Sequence, residues 1–206
     1  MDLRTFLFLL PIVLASLTLH ELAHAYVAWR LGDPTAKREG RLTLNPLVHI
    51  DPLGTLMFIV TALVANLPFG WARPVPVNPN YFKRPKEGMA IVAIAGPLMN
   101  FLVALVCFAV IRHVDVSEQT FEVLRQAWIV NVVLGLFNLI PVPPLDGSRV
   151  LGVLMSDATY VRWVSFDQYG MVIVFGLFLV FRDEFSQVLG DALLFVRDVM
   201  DVLVMA

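Results

Sequence analysis

Of the 206 residues, 58% are hydrophobic and 16% charged, whereas soluble domains average roughly 45–50% and about 25%. Long uncharged blocks and a net charge of -2 exclude a disordered chain, a fibre, an ordinary soluble globule and a basic nucleic-acid-binding surface, so no nucleic acid is expected as a partner. The one cysteine, Cys107, sits in an apolar run and reads as a small packing residue.

Taken in chain order, Thr5 to Trp29 carries Glu21 as its one formal charge, and about 20 apolar residues suffice to cross a bilayer core. This predicts a transmembrane helix. A cleavable leader is not expected, because the run is too long and His20, Glu21 and His24 stand where a small-residue cleavage site belongs. Leu53 to Phe69 is uncharged but interrupted by Gly54, Asn66 and Pro68, which suits a short, tilted or re-entrant segment. Met89 to Ile111 and Ala127 to Leu145 are free of charge for 23 and 19 residues, and each is long enough to span. Tyr169 to Phe181, 13 residues long, is weaker. From Phe185 to Ala206, Asp191, Asp198 and Asp201 oppose Val188, Leu189, Ala192, Phe195, Val199 and Leu203, the pattern of an amphipathic helix. Segments 30–52, 70–88 and 147–168 collect the Gly, Pro, Asn and charge of loops.

The expected fold is therefore an all-α polytopic membrane protein, a bundle of about four to five transmembrane helices with a re-entrant segment between the first and the next spanning helix. Residues 1–206 read as a single membrane-embedded domain, with a core at about 5–150 and C-terminal hydrophobic and amphipathic helices at about 160–206.

Inside the first helix stands His20-Glu21-Leu22-Ala23-His24. Residues four apart share a helix face, so both imidazoles can meet one zinc ion while the Glu reaches a water beside it. Polar and ionisable groups in the middle of a lipid-embedded helix are costly and mark function. A catalytic zinc usually has three protein ligands, and Asp146 is the best candidate for the third. It follows Pro141, Pro143 and Pro144, which cannot continue a helix and free the backbone there to face a cavity. His49 and Asp51, in a proline-bounded stretch, are alternative ligands but read more simply as hydrogen-bonding loop residues. His113 reads as an interfacial residue, and Lys83-Arg84-Pro85-Lys86 as a solvated charge cluster that helps set topology.

Three motifs, His20 to His24, Gly96-Pro97-Leu98-Met99-Asn100 and Asn138 to Gly147, together resemble the signatures of site-2 proteases, which are intramembrane zinc metalloproteases. The resemblance covers roughly residues 5–150, with the motifs intact and in order. It implies one Zn2+ per chain held by His20, His24 and Asp146, with Glu21 as general base and Asn138 near the reacting carbonyl. Asn100 would have a more structural role. It further implies cleavage of transmembrane protein substrates within or next to their membrane segments, in a compact form whose short loops leave no room for a substrate-sorting domain. Two other classes compete: a transporter or ion or proton pathway lined by His, Glu and Asp, and a scaffold with a closed structural metal site, for which His49 would be the fourth ligand. Neither explains as well why two His flank a Glu at this spacing.

Topology follows from the site. His24 precedes Arg30 and Asp146 precedes Arg149 by a few residues, so both ligands approach one membrane face and their helices run in the same direction. With one crossing at 89–111, the segment 53–69 must enter and return. The loops on the metal side then carry ten Lys and Arg residues against three opposite, which places the site toward the cytoplasm; compact size and the lack of a targeting segment suggest a prokaryotic plasma membrane. The β-branched Thr55, Ile59, Val60, Thr61 and Val64 suggest an edge strand in the re-entrant segment, to which an extended substrate could pair.

Overall fold

A computed structural model describes residues 2–64 and 69–205. Asn66 and Pro68, two of the expected interruptions of segment 53–69, lie outside the described residues. The helices, in chain order, are α1 (Leu3–Arg30), α2 (Thr35–Arg38), α3 (Pro52–Val64), α4 (Pro85–His113), α5 (Glu118–Asn138), α6 (Asp146–Gly152), α7 (Asp157–Ser165), α8 (Asp167–Val180) and α9 (Arg182–Met205). No strand occurs among the described residues. α1, α4 and α5 are long and apolar enough to cross a membrane, and α7 with α8, bent by 64° at their junction, form a candidate fourth span. The spans thus reach the lower end of the expected count.

α4 is the central helix and packs against α1, α5 and α6. Its Leu98, Leu102 and Val106 stay exposed at four-residue intervals, a stripe suited to lipid, while its Gly96 and Asn100 are buried. The bundle thus inverts the soluble pattern: Ser16, Thr18, His20, Glu21, His24, Asn100 and Asn131 are all buried. With no water to satisfy them, such groups must find partners within the protein.

The segment between α1 and α4 enters and returns. α3 has 13 residues, about 20 Å of helix, too short to span. Its Thr61 hydroxyl accepts the Phe69 N–H at 3.0 Å, and a Cβ at Gly54 would lie 2.2 Å from the Trp71 carbonyl oxygen, so the returning chain crosses α3 where α3 has no side chain. Arg73 N–H then reaches the His49 carbonyl at 2.8 Å, which brings both ends of the segment to one level. The expected strand is corrected here: Thr55, Ile59, Val60, Thr61 and Val64 are helical in α3. A helix satisfies its own backbone in an apolar setting, and β propensity is too weak a preference to override that.

Other boundaries also shift. α5 begins at Glu118 and ends at Asn138, where the uncharged run predicted Ala127 to Leu145. Ser117 caps its start by accepting from Thr120 N–H, and Glu122 is neutralised by Arg125 at 2.7 and 2.9 Å, so the polar first turns remain helical. Pro141, Pro143 and Pro144 end it. Segment 147–168, expected as loop, holds α6 and α7, the latter capped by Ser156. α9 is a helix, but the stripe that packs is not the expected one: it is Leu193, Val196, Met200 and Val204, against Ala104, Phe108, Trp128 and Val132, whereas Val188, Phe195, Val199 and Leu203 of the expected face remain exposed. Arg112 pairs with Asp201 at 3.2 Å, and His113 bonds the Val204 carbonyl at 3.2 Å, so His113 ties α4 to α9.

Candidate metal centre

His20 and His24, one turn apart on α1, turn their Nε2 atoms toward each other at 3.0 Å. Asp146, the first residue of α6, brings Oδ2 to 3.3 Å from one and 3.4 Å from the other. The prolines before it end α5, and Gly147 lets the chain double back: a Cβ there would meet the Leu139 carbonyl oxygen at 2.1 Å.

The outer nitrogens of both rings are occupied. His20 Nδ1 lies 2.6 Å from Asn100 Oδ1, and His24 Nδ1 lies 2.8 Å from the Val92 carbonyl. Both acceptors are oxygens, so each Nδ1 carries the proton and each Nε2 presents a lone pair to the centre. Asp146 Oδ2 is buried and receives no hydrogen bond. Three electron-pair donors therefore face one point with no proton between them, an arrangement that repels unless a cation occupies it. Ligands at 2.0–2.2 Å around a tetrahedral zinc stand about 3.3–3.6 Å apart, close to the separations found. Gly96 keeps the space open, since a Cβ there would fall 2.4 Å from His24 Nε2 and 2.5 Å from His20 Cε1. Among the described residues, these three form the one group of His, Cys, Asp and Glu poised for a metal.

Behind the centre runs a buried amide chain. Asn100 donates to Asn131 Oδ1 at 2.9 Å, and Asn131 donates to Ser16 Oγ and to the Ala127 carbonyl, both at 2.8 Å. This chain joins α4, α5 and α1. Asn131 escaped the sequence reading although its signal was there: a polar side chain inside the uncharged run from Ala127 to Leu145.

Glu21 is buried and accepts the Val75 N–H at 3.0 Å. Asn138 ends α5 and donates to the Leu134 carbonyl at 2.9 Å, so its amide bonds its own helix. His49 stands apart from the metal group: its Nε2 bonds the Thr43 carbonyl at 3.1 Å. Asp51 caps α3 by accepting from Gly54 N–H at 2.7 Å. Both do the loop work that was the simpler reading. Burial pushes the Arg41 guanidinium below its usual range, against the opposing pull of Glu21.

The comparisons with known proteins fit this geometry. Residues 114–181, which include Asn138 and Asp146, match the model of peptidase family M50. The chain is 41% identical over 181 residues to YwhC of Bacillus subtilis, named as a zinc metalloprotease, with 84% of this chain and 80% of that one covered. Rip2 of Mycolicibacterium smegmatis, named likewise, is 31% identical over 78% of this chain and 62% of its own length. The solved site-2 protease of Methanocaldococcus jannaschii superposes with a TM-score of 0.52 at 25% identity, covering 94% of this chain and 76% of that one.

Proposed function

This chain belongs to peptidase family M50, the site-2 protease family of intramembrane zinc metalloproteases, and from that premise we propose that His20, His24 and Asp146 hold its zinc while Glu21 serves as general base. The observation that carries the ligand assignment is the convergence of two imidazole lone pairs and an unpartnered carboxylate oxygen within 3.4 Å of one another. When bound, zinc supplies Lewis-acid polarisation of a peptide carbonyl and acidifies water.

The chain's own groups do the rest. Asn100 and the Val92 carbonyl hold the two imidazoles in the ligating tautomer. Glu21 takes the proton of the attacking water and delivers it to the leaving amine. Asn138 is assigned the hydrogen bond to the developing oxyanion, on the strength of the motif it heads; such donors are worth roughly 2.7–4 kcal/mol where measured. The substrate is a membrane protein whose helix must unwind locally, because a helix hides its peptide groups in its own hydrogen bonds. A transporter reading has no support in the relatives, all named as proteases.

The protein is integral to a membrane. We place the metal centre on the cytoplasmic side, by the excess of Lys and Arg in the loops on its side, and the protein in a prokaryotic plasma membrane, by the bacterial and archaeal sources of its relatives. The whole chain acts as one domain in this reading, with 5–150 as its catalytic core. Metal analysis tests the ligand set: His20→Ala, His24→Ala and Asp146→Ala should each lower zinc content well below one per chain, whereas His49→Ala should not. Full zinc in Asp146→Ala would remove Asp146 from the set.

A further inference from the structure

Two buried charges lie outside the metal centre and serve one short segment. Asp33 is fully buried and Arg41 is 4% exposed; Arg41 bonds backbone of residues 73–78, and Asp33 divides its carboxylate between that segment and Thr35, whose N–H and hydroxyl both donate to Oδ1. Asp33 Oδ2 accepts the Asn78 N–H at 2.7 Å. Arg41 Nη2 donates to the carbonyls of Arg73 and Pro74 at 2.5 and 3.4 Å. Leaving a charge buried without a partner is expensive, so the loop after α1 is built around holding this segment.

The segment's sequence, Arg73-Pro74-Val75-Pro76-Val77-Asn78, explains its form. Prolines 74 and 76 carry no N–H and bias the residues before them to extended backbone. Val75 is thus left with an isolated N–H between two prolines, and that N–H goes to Glu21 Oε2 at 3.0 Å. Arg73 N–H anchors the near end to the His49 carbonyl at 2.8 Å, and Asp33 anchors the far end.

We infer that residues 73–78 form a stiff backbone strap that orients the Glu21 carboxylate, and that Arg41 and Asp33 are positioning residues acting through it. The inference rests on the reading of Glu21 as the base. It gives His49 and the proline run a role in the reaction geometry without any contact to the metal ligands. A proton acceptor displaced by about 1 Å can cost on the order of 100-fold in rate, which sets the scale of the effect.

The test uses zinc-loaded full-length protein in lipid and a transmembrane-peptide reporter that the wild type cleaves. Val75→Pro removes the one N–H and keeps an extended backbone; Arg41→Met removes the clamp. Each should lower kcat about 10- to 100-fold, with KM and zinc affinity within about twofold, and the double variant should cost little more than either alone, since both act through one hydrogen bond. In a Glu21→Asp background, whose shorter carboxylate no longer reaches Val75, both substitutions should cost less than about threefold. Equal costs in both backgrounds, loss of zinc along with activity, or rates at or above wild type would overturn the inference. Should Arg41→Met fail to fold, Val75→Pro decides alone. If Glu21→Gln still cleaves, the base assignment itself falls; if Glu21→Gln is inactive and Val75→Pro cleaves normally, only the strap is wrong.

Discussion

At Gly96 the smallest side-chain addition reaches the metal centre directly. A methyl group there would sit 2.4–2.6 Å from both imidazoles, on a helix held against α1, so neither ring can yield without leaving its Nδ1 partner. Gly96→Ala should therefore lower zinc affinity by at least about tenfold, the scale seen when a ligand's supporting shell is disturbed, as read by chelator competition. Asn100→Leu should cost about 10- to 100-fold in zinc affinity for the complementary reason, since it frees the His20 ring to rotate. The His and Glu of the first helix were legible because they are polar groups where lipid demands apolar ones, and Asp146 because prolines precede it. Asn131 obeyed the same rule without being read. Arg41 and Asp33 were not legible at all: in a loop full of charge, nothing in the sequence says which two are buried.

Among the elements, the re-entrant segment carries the topology. Its interruptions at Gly54, Asn66 and Pro68 suited a short, tilted or re-entrant segment, the common face of His24 and Asp146 selected re-entry, and Gly54 turns out to be where the returning Trp71 backbone crosses α3. What the local residues could not reveal was the secondary structure inside it, because β-branched side chains accept a helix when the backbone must satisfy itself. The ends of α5 were misplaced for a related reason: an uncharged run locates the lipid core, whereas capping and the Glu122–Arg125 pair decide where the helix starts. Cysteines at Glu39 and Asn80, both exposed, in a Cys107→Ala background, should react with an impermeant thiol reagent from the cytoplasmic side, and one at Asp115 from the opposite side. Labelling of Glu39 and Asn80 from different sides would mean that 53–69 crosses, and Asp146 could then not stand beside His24.

Over the whole molecule, the three sequence motifs occupy α1, α4, α5 and α6, while α9 braces the far side of the same bundle. Met200 is buried against Ala104, Phe108 and Val132, and Trp128 Nε1 lies 3.3 Å from its sulfur. Met200→Ala should lower thermal stability, with a cavity cost of about 2–5 kcal/mol on the scale of other cores, and leave zinc at one per chain, because α9 packs on α4 and α5 away from the ligands. Loss of zinc in that variant would tie the tail to the site.

If His20, His24 and Asp146 hold zinc for peptide hydrolysis and Glu21 moves the proton, wild type and Glu21→Gln must part in activity but not in metal, which zinc content and cleavage of a transmembrane substrate, measured side by side in lipid, will show. Zinc at one per chain in both, with cleavage in the wild type alone, is the predicted result; cleavage by Glu21→Gln, or a wild type that cleaves equally well once its metal is stripped, would contradict it.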